Sequence, residues 1–210
     1  MNYYSQINQD KYFIENINNN KQHGVFLDIG AHDGIVNSNT YALEKYLNWS
    51  GYCIEANQKI YKILRENRQC ECILGAAWDK NTHVTFEAPS YIKKNENNII
   101  ASELGRVDHQ DVEKYFNNWF EDSEKQIVEA FRISDKIPLP KQIDFLSLDV
   151  EGAEIQALKG IDLNAVNINF MTIEHGNREN RINELEDFLI KYKYEIHRVN
   201  GHDVEFIKTA

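Results

Sequence analysis

The sequence predicts an α/β fold: a mostly parallel sheet with helices on both faces, closed by a C-terminal antiparallel hairpin. Three observations lead there. Short β-rich blocks alternate with segments of helical period along most of the 210 residues, the pattern of parallel strands joined by crossover helices. The run Ile143-Asp144-Phe145-Leu146-Ser147-Leu148-Asp149 is nearly continuous in apolar residues, as a central strand buried on both faces requires. Residues 194–199 and 204–208 read as strands around Asn200-Gly201-His202-Asp203, which suits a hairpin turn.

The elements follow in order. A strand over 24–29 runs into the loop Gly30-Ala31-His32-Asp33-Gly34, and Ser38 or Asn39 stands where a cap would begin a helix carrying Leu43, Tyr46 and Leu47. Residues 51–55 form a second strand, followed by a helix in which Ile60, Ile63 and Leu64 share a face and Asn67 nears the end. A third strand is expected over 72–76 and a fringe strand over 83–86, after the turn Asp79-Lys80-Asn81. About 90–125 the chain is polar and rich in Asn, with Tyr91, Tyr115, Phe116, Trp119 and Phe120 spread through it. A stretch of that length with little regularity reads as an insertion or a lid over an acceptor site. Beyond the central strand come a short helix over 152–158, a strand over 169–174 and a helix over 178–192 with Ile182, Leu185, Phe188, Leu189 and Tyr192 inward. No Pro/Gly/Ser-rich linker divides the chain, so 1–210 reads as a single domain.

Composition excludes several functions. A formal charge of -10 without a Lys/Arg cluster argues against a nucleic-acid partner, whose binding runs on counterion release by basic side chains. No segment approaches the roughly 18 to 20 apolar residues of a membrane span, and the first residues lack the basic start and apolar run of a secretory signal. A cytoplasmic protein is expected. Cys53, Cys70 and Cys72 lack C-x-x-C spacing, so neither a disulfide framework nor a structural zinc site is suggested.

In open α/β sheets ligands sit beyond the carboxyl ends of the strands where strand order reverses, which directs attention to the loop after the first strand. The dinucleotide fingerprint would require glycines where His32 and Ile35 stand, so a nicotinamide or flavin dinucleotide is disfavoured. A cationic sulfonium cofactor tolerates the carboxylates of Asp28 and Asp33 better than a pyrophosphate would. Glu55 closes the second strand, where a carboxylate accepts hydrogen bonds from both ribose hydroxyls of an adenosyl group. Ala76, Ala77 and Trp78 are then placed against the adenine, Trp78 being equally suited to the core.

Asp149 ends the central strand, Glu151 follows it, and Glu174-His175-Gly176 stands one strand later. Neighbouring strands lie about 5 Å apart, so level strand ends bring these groups into one pocket. Crowded carboxylates demand a raised pKa, a cationic ligand or a divalent metal. Two chemistries remain open: His175 as general base for a hydroxyl, or Mg²⁺ on Asp149, Glu151 and Glu174 lowering that hydroxyl's pKa.

The runs Phe26 through Gly34, Ser38-Asn39-Thr40 with Glu44, Trp49-x-Gly51-x-x-x-Glu55-Ala56-Asn57, Asp144 through Glu154, and Ile173-Glu174-His175 resemble the FkbM family of methyltransferases. The resemblance implies a class I, Rossmann-like fold with a seven-stranded sheet, S-adenosylmethionine as cofactor, and O-methylation of sugars, polyketide hydroxyls or related small molecules. It also implies that Gln6, Gln9 and Asp10 fold back toward the cofactor. Residues and resemblance together assign cofactor contacts to these three and to Asp28, Gly30, Ala31, His32, Gly34, Asn39, Thr40, Glu55, Ala56, Ala77, Trp78 and Asp149. Catalysis is assigned to Asp149, Glu151, Glu174 and His175. The chain departs most from the family over 90–125, which leaves the acceptor open, with a sugar or glycan hydroxyl preferred. The alternatives are a non-catalytic adenosyl-binding module of the same fold, a dehydrogenase, and a nucleic-acid amino-methyltransferase; the last would carry Asp/Asn-Pro-Pro-aromatic where Asp149-Val150-Glu151-Gly152 stands.

Overall fold

The computed structural model describes residues 1–89, 94–95, 98–99, 106–107 and 123–209. The chain opens with a helical turn α1 (Gln9–Tyr12) that continues as a π-helical turn over Phe13–Ile17, then β1 (Val25–Ile29), α2 (Tyr41–Leu47), β2 (Ser50–Glu55), α3 (Gln58–Asn67), β3 (Glu71–Leu74), β4 (Ala76–Ala77) and β5 (Thr82–Pro89). Short pieces β6 (Lys94–Asn95), β7 (Asn98–Ile99) and β8 (Arg106–Val107) precede β9 (Ser123–Phe131). After the helical turn Ile133–Lys136 come β10 (Gln142–Leu148), the helix Glu154–Lys159, β11 (Asn167–Glu174), the helix Glu179–Leu189, β12 (Tyr194–Asn200) and β13 (Asp203–Lys208).

Seven strands form the main sheet in the order β12-β13-β11-β10-β1-β2-β3. The five from β11 to β3 are parallel, while β13 runs antiparallel to β11 and β12 antiparallel to β13, the expected terminal hairpin. From β1 the chain moves outward through β2 and β3, then returns to β10 on the other side. Strand order therefore reverses between β1 and β10, and that junction opens the crevice in which such sheets bind ligands.

Strand alternation sorts the core into two layers. Leu27, Ile29, Leu146, Leu148, Met171 and Ile173 face the helices Glu154–Lys159 and Glu179–Leu189, which supply Ala157, Leu158, Leu185 and Leu189. The opposite face carries Phe26, Phe145 and Phe170 in register across β1, β10 and β11, covered by Phe13, Ile14, Leu43 and Leu47. The Phe13 ring stacks 4.4 Å from that of Phe145. Each fully buried Phe contributes about 1.5–3 kcal/mol. Two residues further along, the same face turns polar: Asp28, Ser147 and Thr172 lie in register. On this face apolar packing thus anchors the strands and leaves polar side chains toward their carboxyl ends.

Several boundaries differ from the sequence reading. The third strand stops at Leu74, because Gly75 (φ +141°) turns the chain away and a Cβ there would lie 2.6 Å from the Glu129 carbonyl oxygen. Ala76 and Ala77 instead pair with β9 in a second sheet of order β4-β9-β5-β8. The fringe strand extends over Thr82–Pro89 and pairs with β9 along its length. The sequence reading missed β9: its buried positions are Val128, Ala130 and Phe131, while Ile127 is 79% exposed, so its apolar residues do not trace one face. The expected lid over 90–125 falls mostly outside the described residues, as do Tyr91, Tyr115, Phe116, Trp119 and Phe120. Among the described residues no helix is long and apolar enough to cross a membrane.

Candidate active site

The loop after β1 is held from below. Asp28, 4% exposed, accepts a hydrogen bond from the Thr40 hydroxyl at 2.5 Å, and the Arg68 guanidinium lies 3.7 Å from the same carboxylate oxygen. Arg68 also donates to Thr40 Oγ1 (3.0 Å), to the Gly34 carbonyl (3.2 Å) and to Glu44 (2.5 Å). Burial raises the Asp28 pKa, while Arg68 and the hydroxyls of Thr40 and Ser147 oppose that rise. Gly34 is required by this support: a Cβ would lie 2.6 Å from Arg68 and 2.7 Å from Leu64, at a φ of +82°. Thr40 and Gly34 thus brace the loop without lining the cavity above it. Arg68 was missed by sequence reading, although it sits four residues after Leu64 and continues the buried stripe of α3.

Above the loop lies a cavity of about 360 Å³, walled by Gly30, Ala31, His32, Asn39, Glu55, Ala56 and Ala77 on one side and by Asp149, Glu151 and Glu174 on the other. Gly30 lets the ends of β1 and β10 converge, since a Cβ there would fall 1.6 Å from the Asp149 carbonyl oxygen. Glu55 is nearly buried, its Oε1 accepting from Asn57 N–H at 2.6 Å and its Oε2 from His32 N–H at 3.0 Å. Each carboxylate oxygen retains a lone pair for a ligand hydroxyl. Asn39 donates to Ser147 Oγ at 3.0 Å, and its buried Oδ1 has no hydrogen-bond partner among the described residues. A buried acceptor left open in a cavity wall costs about 1–3 kcal/mol until a donor meets it. An adenosyl ribose for Glu55 and an ammonium for Asn39 Oδ1 fit these groups, as S-adenosylmethionine would supply them.

At the reaction end, oxygens of Asp149, Glu151 and Glu174 all lie within 4.8 Å of one another. Glu151 adopts φ 53° and Gly152 φ 104°, a turn that returns the chain to the cavity and costs strain at Glu151. Burial, then the carboxylates of Asp203 and Glu154, push Asp149 up to about 7. Glu174 is pushed up further by burial and by Asp149, Glu151 and Glu154. Glu174 therefore stays protonated at neutral pH and Asp149 titrates near it, and among the described residues these two with Glu151 form the group that could hold a divalent metal. His175 is 4% exposed, and burial lowers its pKa, favouring the neutral imidazole; it stands behind the wall, whereas Gly176, Asn177 and His202 line it.

Glu154 is structural: 1% exposed, it accepts from Gly152 N–H at 2.8 Å and pairs with Arg181, which also donates to the Gly152 carbonyl at 2.6 Å. Trp78, 2% exposed, packs with Ala76 and Val128 in the core and does not line the cavity. The apolar wall comes instead from Phe86, Val107 and Val150, none of them among the site residues read from the sequence.

The N-terminal segment closes the remaining side. Gln6 and Gln9 line the cavity, and Gln9 donates to the buried Asp203 at 2.6 Å, across 194 positions of sequence. Asp10 does not face the cavity. Its carboxylate accepts from Ser5 Oγ (2.5 Å) and from Tyr4 N–H (2.6 Å), shaping the turn that presents Gln6.

Comparison with known proteins accords with this architecture. No curated protein matches the sequence. The structure is similar to methyltransferase FkbM from Methylobacillus flagellatus KT, with 15% identity and a TM-score of 0.53 over 89% of this chain and 43% of that one; this chain therefore spans less than half the length of that relative. A methyltransferase from Pyrococcus furiosus (14% identity, 95% and 81% covered, TM-score 0.44) and precorrin-6y C5,15-methyltransferase from Geobacter metallireducens GS-15 (12%, 89% and 80%, 0.44) are more distant. Residues 28–196 match the model of the methyltransferase FkbM domain, from the first strand to the hairpin, and the chain belongs to the FkbM methyltransferase family.

Proposed function

We propose that the protein transfers a methyl group from S-adenosylmethionine to a hydroxyl of a small molecule, with a sugar or glycan as the acceptor class. The observation that carries this reading is that one cavity joins the Glu55 and Asn39 end to the Asp149, Glu151 and Glu174 end. When bound, the cofactor supplies an electrophilic methyl on a sulfonium; Glu55, Asn39, Gly30 and His32 would hold it.

The residues at the other end have two tasks. Asp149, whose pKa lies near 7, accepts a hydrogen bond from the acceptor hydroxyl and takes its proton, while Glu151 and Glu174 frame the same end of the cavity. Alignment should matter more, because positioning two bound reactants supplies about 7–11 kcal/mol, against about 10²- to 10⁴-fold for a base. A hydroxyl-rich acceptor suits Gln6, Gln9, Asn177 and His202, while Phe86 and Val107 offer a face for sugar C–H groups. The close approach of the three carboxylates favours a second reading in which they bind Mg²⁺, which would acidify the hydroxyl.

Calorimetric titration with S-adenosylhomocysteine tests the first half of the reading. Binding should weaken at least about tenfold in Glu55→Ala, as expected for losing hydrogen bonds to a charged group. No binding to the unmutated protein, with or without Mg²⁺, would refute the methyltransferase reading. Methyl ether formation on mono- and oligosaccharides, measured with Mg²⁺ and with chelator, then tests the acceptor and the metal.

A further inference from the structure

A second cluster of reactive groups lies outside the cavity. The polar row Thr172, Ser147 and Asp28 continues in register into Cys53 on β2 and Cys72 on β3. Cys53 is fully buried, whereas Cys70 and Cys72 are partly exposed. The sulfurs of Cys53 and Cys70 are 3.4 Å apart, and the Cys72 thiol lies 3.6 Å from the Cys70 carbonyl oxygen. Three free thiols therefore meet at the edge of the sheet, above the buried Arg68.

We propose that Cys53 and Cys72 form a redox couple, oxidised to a disulfide by a hydroperoxide that enters at Cys72, with Cys70 as the third thiol of the cluster. Register carries the assignment. Cys53 and Cys72 are direct partners on neighbouring parallel strands, whose spacing of about 4.8 Å falls inside the roughly 4.4–6.8 Å Cα separation a disulfide spans. Exposure divides the roles within the pair: Cys72 is partly exposed and meets the oxidant, and Cys53 is buried. The S–H groups of Cys53 and Cys70, with Arg68 and Arg65, hold the Cys72 thiol below its ordinary range, while burial raises that of Cys53.

In the first step the Cys72 thiolate attacks the peroxide, breaking the O–O bond; the sulfur becomes a sulfenic acid and the other oxygen leaves as an alcohol or water after taking a proton. The Cys53 sulfur then attacks the sulfenic sulfur, the S–S bond forms and water leaves with the Cys53 proton. A bond between adjacent strands of one sheet forces both side chains toward each other, and such strain makes a disulfide easier to reduce. The couple is reversible on this account. It sits two residues before Glu55 on β2.

The test is exposure of the full chain to hydrogen peroxide, with thiols counted after denaturation and the linkage mapped by mass spectrometry. The count should fall from three to one with a Cys53–Cys72 cross-link, and dithiothreitol should restore it. Cys70→Ser should still lose both remaining thiols, and Cys72→Ser should keep both. Three persistent thiols, a cross-link involving Cys70, or unchanged oxidation of Cys72→Ser would overturn the proposal. None of these readouts depends on cofactor binding or methyl transfer.

Discussion

Asp149 shows how a single residue carries both cost and function. Its folded pKa of about 7 exceeds the ordinary 3.8, so the native state holds a proton that the unfolded chain releases between those values. Stability must fall as pH rises through that window, and the loss is complete above about pH 7. Asp149→Asn should therefore unfold at higher urea concentration than the parent protein at pH 8 in the presence of chelator, with the difference shrinking toward pH 4. A gap that widens on acidification would contradict the assignment. At this scale the sequence named the carboxylates correctly as neighbours, because each ends or follows a strand. It did not name Arg68, whose role depends on Asp28, Thr40 and Glu44 reaching it from other elements.

Between elements, the critical contact is the crossing of β1 and β10 at Gly30. An alanine there would place its Cβ 1.6 Å from the Asp149 carbonyl oxygen at a φ of +82°. Gly30→Ala should cost at least about 1–3 kcal/mol through overpacking and backbone strain and should abolish binding of S-adenosylhomocysteine; thermal unfolding and calorimetry measure the two effects. The strands of the main sheet were legible because each buries a patterned run. The second sheet was not. β9 exposes Ile127 and buries the adjacent pair Ala130 and Phe131, and β4 is two alanines long, so neither leaves a periodic signal. That sheet sets Phe86 and Val107 against the cavity by pairing Phe86 with Gln126 on one side and with Val107 on the other, residues distant in sequence.

For the molecule as a whole, the longest tie is between Gln9 and Asp203, joining the first helical turn to the terminal hairpin beside the cavity. Gln9→Ala removes a hydrogen bond to a buried carboxylate, an interaction of about 1.5–3 kcal/mol. Amide exchange should accelerate over residues 1–12 and S-adenosylhomocysteine should bind more weakly, while the main sheet stays protected; an unchanged exchange pattern would show that the segment is held by other contacts. By itself the sequence determined the class of fold, the strand order's switch point and the family, because hydrophobic period, turn residues and short motifs are local and survive without coordinates. Tertiary structure alone decided that Trp78 is core, that Asp10 and Glu154 organise backbone, and that Phe86, Val107 and His202 share a wall with Glu55. Those assignments depend on which distant segments share a volume, and no local pattern records that.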